Sequence, residues 1–264
     1  MITFEKWEGL GNDFIVIDQA LIVGDLTDKA VSRLCDRHTG IGADGVLLVD
    51  RTGAAPSMIV RNADGSRPEM CGNGLRCVAG FLSGGAPQTT LTIRTDAGDL
   101  EADVATVSAG VVRVEAAMGM GRATGTISVP IEGKEHPFDT INVGNPHAVT
   151  FERYDDASID RIAPLVERFV SGGTNVEFVR LVDGQHRVRV WERGVGYTQA
   201  CGTGAVAVAV AACLSGRAAF DQWQDIGLPG GPLGVRIEQG TLRARMRGPA
   251  RRVFRGDLTR DTLD

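Results

Sequence analysis

Lysine is almost missing from this chain of 264 residues. Of its 28 basic residues only Lys6, Lys29 and Lys134 are lysines, and the rest are arginines. A pyridoxal phosphate enzyme carries its cofactor on a lysine. None of these three stands in a motif, so that chemistry is set aside. The five cysteines (Cys35, Cys71, Cys77, Cys201, Cys213) are odd in number and widely spaced, without a C-x-x-C or H-x-x-x-H partner. That pattern excludes a zinc site and a complete disulfide framework. No apolar run approaches the roughly 18 residues of a membrane-spanning helix. The first residues also lack the basic patch and apolar stretch of a signal peptide. A net charge of −5 gives no footprint for nucleic acid or an anionic membrane surface. The expectation is a cytoplasmic enzyme or small-molecule binder, with no metal, no nucleic-acid partner and no membrane.

What the chain does have is glycine, 35 in all, punctuating short runs rich in Val, Ile and Thr. Phe14–Asp18, Val46–Asp50, Met58–Val60, Leu91–Arg94, Val111–Glu115, Val176–Val182 and Val188–Trp191 read as strands. Four stretches read as helix: Thr27–Arg37, Gly74–Leu82, Pro164–Val170 and Gly204–Leu214, the third beginning on its proline. The second and fourth are apolar on nearly every side and must be surrounded by protein. Sheets wrapped around buried central helices are therefore expected.

An internal repeat runs through the sequence. Gly11-Asn12-Asp13-Phe14 is matched by Gly144-Asn145-Pro146-His147, 133 residues on, and Cys71-Gly72-Asn73-Gly74 by Cys201-Gly202-Thr203-Gly204, 130 residues on. Nine residues before each cysteine stands a polar residue, Asn62 and Glu192. Ala97-Gly98-Asp99-Leu100 and Gln239-Gly240-Thr241-Leu242 form a third pair in the same order. Two related halves are implied, with a boundary in the glycine-rich stretch at 118–125.

A literal G-x-G-x-x-G at Gly40–Gly45 lies between a helix-like and a strand-like segment. A dinucleotide fingerprint needs the reverse context, so a helix-to-strand loop is expected. Each Cys-Gly-x-Gly puts a cysteine at a helix N-terminus, where unpaired N–H groups and the helix dipole favour negative charge. Such a site lowers a thiol pKa, and the glycines let a carboxylate approach the same N–H groups. Two thiols, one per half, could take a proton from one face of a carbon and return one to the other. A cysteine hydrolase with His147 as base and a non-catalytic amino-acid binder stay open as rivals. Cys35, Cys77 and Cys213 read as buried core.

The segments Gly9–Phe14, Asn62–Ser66, Met70–Cys77, Gly144–His147, Gly173–Val176, Glu192–Gly194 and Ala200–Ala205, spread over nearly the whole chain, together resemble the diaminopimelate epimerase family. The resemblance implies a cofactor-independent epimerase of LL- and meso-diaminopimelate, in bacterial lysine and peptidoglycan precursor synthesis, acting as a homodimer. It makes Cys71 and Cys201 the catalytic pair, with His147 and Glu192 tuning them. The α-carboxylate would meet the backbone of Gly72, Asn73, Gly202 and Thr203. The other polar ends of the substrate would meet Asn12, Asn62, Asn145, Asn175, Glu192 and Arg193. Some members carry glutamine where Gly45 stands, which puts a contact there in question. Another amino-acid racemase, proline- or histidine-type, is the nearest alternative. The implied fold is α+β, with two pseudo-symmetric domains, each a curved, mostly antiparallel sheet around a buried central helix. Residues 1–118 would carry Cys71 and 119–264 Cys201, with the last strand able to pack back on the first half and the site in the cleft between.

Overall fold

The computed structural model describes residues 1–68 and 70–259. The chain divides into two units: Met1–Ala116 together with the chain from Gly248 onward, and Ala117–Arg247.

The first unit runs β1 (Ile2–Gly9), β2 (Asn12–Asp18), α1 (Asp28–Cys35), β3 (Gly45–Asp50), β4 (Ser57–Asn62), α2 (Gly72–Ser83), β5 (Gln88–Thr95), β6 (Gly98–Ser108) and β7 (Val111–Met120), whose residues from Ala117 on belong to the second. The second runs β8 (Arg122–Ile131), β9 (Lys134–Asn142), β10 (Pro146–Thr150), α3 (Asp156–Phe169), β11 (Asn175–Val182), β12 (Gln185–Glu192), β13 (Gly196–Tyr197), α4 (Gly202–Leu214), β14 (Trp223–Leu228) and β15 (Gly231–Ile237). The last strand, β16 (Arg243–Leu258), serves both: residues 244–247 pair with β15 and residues 251–258 with β1. Those pairings with β1 put the last strand, counted from sequence with the second half but free to pack back, with the first unit.

Among the described residues most pairings are antiparallel, with two parallel ones described in each unit. These are β2–β3 and β4–β5 in the first, and β10–β11 and β12–β14 in the second. Each parallel pair is joined through a helix, as a parallel connection requires. In the first unit α1 and α2 cover opposite faces, so β2 and β3 are buried on both. Phe14, Val16, Leu47 and Val49 pack in the core of α2, while Ile15, Ile17, Val46 and Leu48 pack in that of α1. Period-2 alternation between two apolar layers explains why these strands read as unbroken hydrophobic runs. In the second unit Ala148, Val176 and Phe178 pack with α3, while α4 lies against β9, β10, β11, β14 and β15.

The helix boundaries follow local chemistry. Thr27 Oγ1 caps α1 by accepting the Ala30 N–H, and Ala30, Val31, Leu34 and Cys35 form its buried stripe. α2 and α4 are buried almost throughout, as their all-round apolar character requires. The third helix departs from expectation. It begins at Asp156, eight residues before Pro164, because Asp155 caps it through the Ser158 N–H. Pro164 therefore sits inside the helix, where its missing N–H leaves the carbonyl of Asp160 without its helical donor.

Candidate active site

Cys71 is the N-cap of α2. Its backbone is extended and its Sγ accepts the Gly74 N–H at 3.3 Å. Asn12 Oδ1 stands 4.0 Å from that sulfur and accepts from Asn73 Nδ2 at 3.2 Å. A chain of charges orients Asn12 from behind. Its Nδ2 donates to Asp44 Oδ2 at 2.6 Å, Arg37 bridges Asp44 and Asp13, and buried Lys6 pairs with Asp13 at 2.6 Å. Arg76, one turn into the helix and 0 % exposed, donates to Asn73 Oδ1 at 2.9 Å and to the carbonyls of Pro249 and Gly72. Asn62 ends β4 on the surface, bonded to Ser66 Oγ.

Cys201 caps α4 in the same way, with its Sγ accepting the Gly204 N–H at 3.3 Å. Thr203 Oγ1 is 3.4 Å from the sulfur and accepts from Asn145 Nδ2, also at 3.4 Å. His147 is buried between two partners, with Nε2 3.0 Å from Asn145 Oδ1 and Nδ1 2.7 Å from Glu177 Oε1. Both ring nitrogens are thus engaged, and His147 is not the base of a Cys–His nucleophile within this unit. Glu192 ends β12, where its Oε1 accepts from Thr198 Oγ1 at 2.6 Å. Asn175 accepts the Arg193 N–H and donates to the Pro146 carbonyl. The Arg193 side chain is exposed and anchored by the Gly172 carbonyl at 3.1 Å.

The electrostatics correct one expectation. A helix N-terminus was expected to lower each thiol. Burial instead pushes the Cys201 thiol well above its ordinary value, and the carboxyls of Glu192 and Glu177 push the same way. The Thr203 hydroxyl and Gly204 N–H oppose them and lose, because an anion there would be desolvated beside two carboxylates. Burial also raises the Glu192 carboxyl, with Glu177 adding to it. Cys35 is raised to about 11, and Cys77 and Cys213 upward as well, all three mainly by burial.

The sequence reading missed Asp44, Arg76 and Glu177. It rejected the G-x-G-x-x-G stretch as a nucleotide site, and that stretch is a loop between α1 and β3 whose Asp44 orients Asn12. At Gly45 a Cβ would lie 2.6 Å from the Arg61 carbonyl, so this backbone has no room for a side chain. Among the described residues no cluster of His, Cys, Asp or Glu could hold a metal ion, and no helix is long and apolar enough to cross a membrane.

Solved structures sharing this fold include a probable proline racemase from Agrobacterium radiobacter K84. It superposes with a TM-score of 0.76 at 16% identity, covering 100% of this chain and 94% of that one. A hydroxyproline epimerase from Agrobacterium vitis gives 0.74 at 15% identity, covering 97% and 91%. The fold is that of two pseudo-symmetric halves on which racemases and epimerases are built. In sequence, residues 4–124 and 140–253 match the diaminopimelate epimerase family. The diaminopimelate epimerase of Nostoc punctiforme is 41% identical, covering 97% of this chain and 99% of its own length. The chloroplastic one of Oryza sativa subsp. japonica is 38% identical, covering 96% and 79%. The chain belongs to the diaminopimelate epimerase family.

Proposed function

We propose that this chain interconverts LL- and meso-diaminopimelate by moving the proton on one α-carbon, with Cys71 and Cys201 as the acid–base pair. The observation that carries the reading is the doubled helix cap, in which each cysteine sulfur accepts the N–H of the second glycine of its Cys-Gly-x-Gly turn at 3.3 Å. Helical geometry gives the N–H groups of Gly72, Asn73, Gly202 and Thr203 no carbonyl inside their own helices, so they suit the α-carboxylate. One sulfur, as thiolate, takes the α-proton, and the electron pair left on carbon spreads into the carboxylate. The other sulfur, as thiol, gives its proton to the opposite face. The stereocentre is inverted, and thiolate and thiol have exchanged roles. Asn12, Asn62, Asn145, Asn175 and Glu192 supply neutral or single-charge partners for the remaining polar ends, and Arg193 meets the distal carboxylate. His147 and Glu192 tune the sulfurs. No cofactor takes part. The same reading makes the chain a cytoplasmic homodimer serving lysine and peptidoglycan precursor synthesis, and sedimentation at twice the chain mass checks the dimer.

The test is proton NMR in heavy water with diaminopimelate, proline and histidine in parallel. Epimerisation of diaminopimelate alone is expected. Cys71→Ala and Cys201→Ala should each cut it at least about a hundredfold. Each variant should still exchange the α-proton of one stereoisomer, and the two should prefer opposite isomers. Exchange of the same isomer by both, or full activity in either, rejects the two-base assignment.

A further inference from the structure

Over the start of α2 the first unit places two apolar side chains, Phe14 and Leu47, in one core. The strand register sets Phe14 opposite Gly45, with Leu47 two residues on. In the second unit the same register sets His147 opposite Asn175, with Glu177 two residues on. Packing agrees with register. A Cβ on Gly74 would meet Leu47 Cδ2 at 3.0 Å, and one on Gly204 would meet Glu177 Oε1 at 2.8 Å. The fold therefore accepts an apolar pair at this place, and the second unit carries an imidazole and a carboxylate instead.

Stability does not explain that exchange. Glu177 is 0 % exposed, and its Oε2 has no hydrogen-bond partner among the described residues. A buried carboxylate satisfied through one oxygen costs more than a leucine of similar volume. The pair leads somewhere, however. From Glu177 Oε1 the polar line runs through His147 and Asn145 to Thr203 Oγ1, which is 3.4 Å from Cys201 Sγ.

We propose that Glu177 is a positioning residue of the reaction. It accepts the Nδ1–H of His147 and so fixes the orientation of that ring, which through Asn145 and Thr203 orients the groups at Cys201. A carboxylate on one ring nitrogen is the usual device for deciding which proton the other carries. With Nδ1–H committed to Glu177, Nε2 faces Asn145 Oδ1, and that amide in turn keeps its Nδ2 toward Thr203 Oγ1. The titratable groups around Glu177 are His147 on β10, Cys201 at the start of α4 and Glu192 on β12.

The effect on rate rests on the function proposed above, while the ring geometry does not, so the test reads both. Glu177→Gln keeps the shape and removes the anion. In this variant kcat should fall about 10- to 100-fold, the size of losing one hydrogen bond to a charged group, with KM within about twofold. Nitrogen-15 NMR of the resting protein, with His147 assigned among the four histidines, should show the Nδ1 signal move when its carboxylate partner is lost. Glu177→Asp should recover part of kcat. The His147→Phe/Glu177→Leu double variant, which copies the first unit, should lose kcat and melt no lower than the unaltered protein. Wild-type kcat in Glu177→Gln, a loss with an unchanged ring spectrum, or a lower melting temperature in the double variant would each overturn the positioning role. If the unaltered protein fails to epimerise diaminopimelate, the proposed function falls and the ring spectrum still decides the geometry.

Discussion

Beside Cys71 the buried charge is positive, and beside Cys201 it is negative. Arg76 lies five residues into the first helix segment, fully buried and within electrostatic reach of Cys71 and Cys77, and Val206 stands at the matching place in the second. Around Cys201 the carboxyls of Glu177 and Glu192 both raise the thiol, where the Cys71 half has Leu47 and Asn62. The backbone device is the same in both halves: an extended cysteine cap, two glycines and an apolar helix. What differs is the field each sulfur experiences. A pair that passes a proton across a carbon needs one member ready to give and one ready to take.

The largest expected effect comes from erasing the positive side of that contrast. Arg76→Met removes the buried charge and the side-chain donor to the Pro249 and Gly72 carbonyls and to Asn73 Oδ1. It should cost roughly 3 kcal/mol in urea denaturation. A cost under about 1 kcal/mol would mean that Arg76 is a filler like Val206, and the electrostatic distinction would lapse.

A smaller effect separates the two second glycines. Alanine gains about 1 kcal/mol over glycine within a helix. Against that, Gly204→Ala drives a methyl to 2.8 Å from a carboxylate oxygen held by His147, whereas Gly74→Ala meets a leucine methyl at 3.0 Å that can turn aside. We expect Gly204→Ala to lose about 1–2 kcal/mol and Gly74→Ala to lie within about 0.5 kcal/mol of zero. Equal melting curves would show that Glu177 yields as freely as Leu47.

The smallest effect concerns Glu192, whose carboxyl is raised above its ordinary 4.5 by burial. A raised folded-state value favours the protonated form. Its stabilising contribution is therefore present below about pH 4.5 and is lost as pH climbs through the folded value. At pH 7 the charge costs stability, and Glu192→Gln should raise Tm by on the order of 2 °C there and leave it unchanged at pH 4. The same variant should alkylate faster at Cys201, since one of the carboxylates that holds the thiol up is gone. A lower Tm at pH 7 would show that the Thr198 bond outweighs the burial.

Local signals carried much of this in the sequence. The Thr27 cap, the unbroken apolar runs of β2 and β3, and the two cysteines before apolar helices were legible because each depends on neighbours along the chain. α3 is longer than its sequence suggests, because Pro164 has the look of a helix start while the cap, Asp155, lies nine residues upstream. Glu177 could not be found from its own segment. It sits among Val176, Phe178 and Val179 in a strand that also carries Asn175 and Arg180, and only the parallel pairing of β10 with β11 brings His147 to it. The repeat did hold the clue, since Glu177 follows Leu47 by the same 130 residues that separate the cysteines. Arg76 was hidden for the opposite reason. A single arginine in an apolar helix looks like a surface residue until the helix is seen to have no surface.

The last strand has a consequence for the order in which the chain can assemble. The second unit is one uninterrupted stretch, Ala117–Arg247, whereas the first needs residues 251–258 to pair with β1. During synthesis the part made first therefore finishes last. Until β16 emerges, β1 has a partner on one side only and presents an open edge ready to add a strand from any neighbouring chain. The pairing that closes it joins residues some 250 positions apart, the kind of contact that slows folding most. Removing the final strand would thus leave the second unit most of its own pairings and strand the first as an aggregation-prone half.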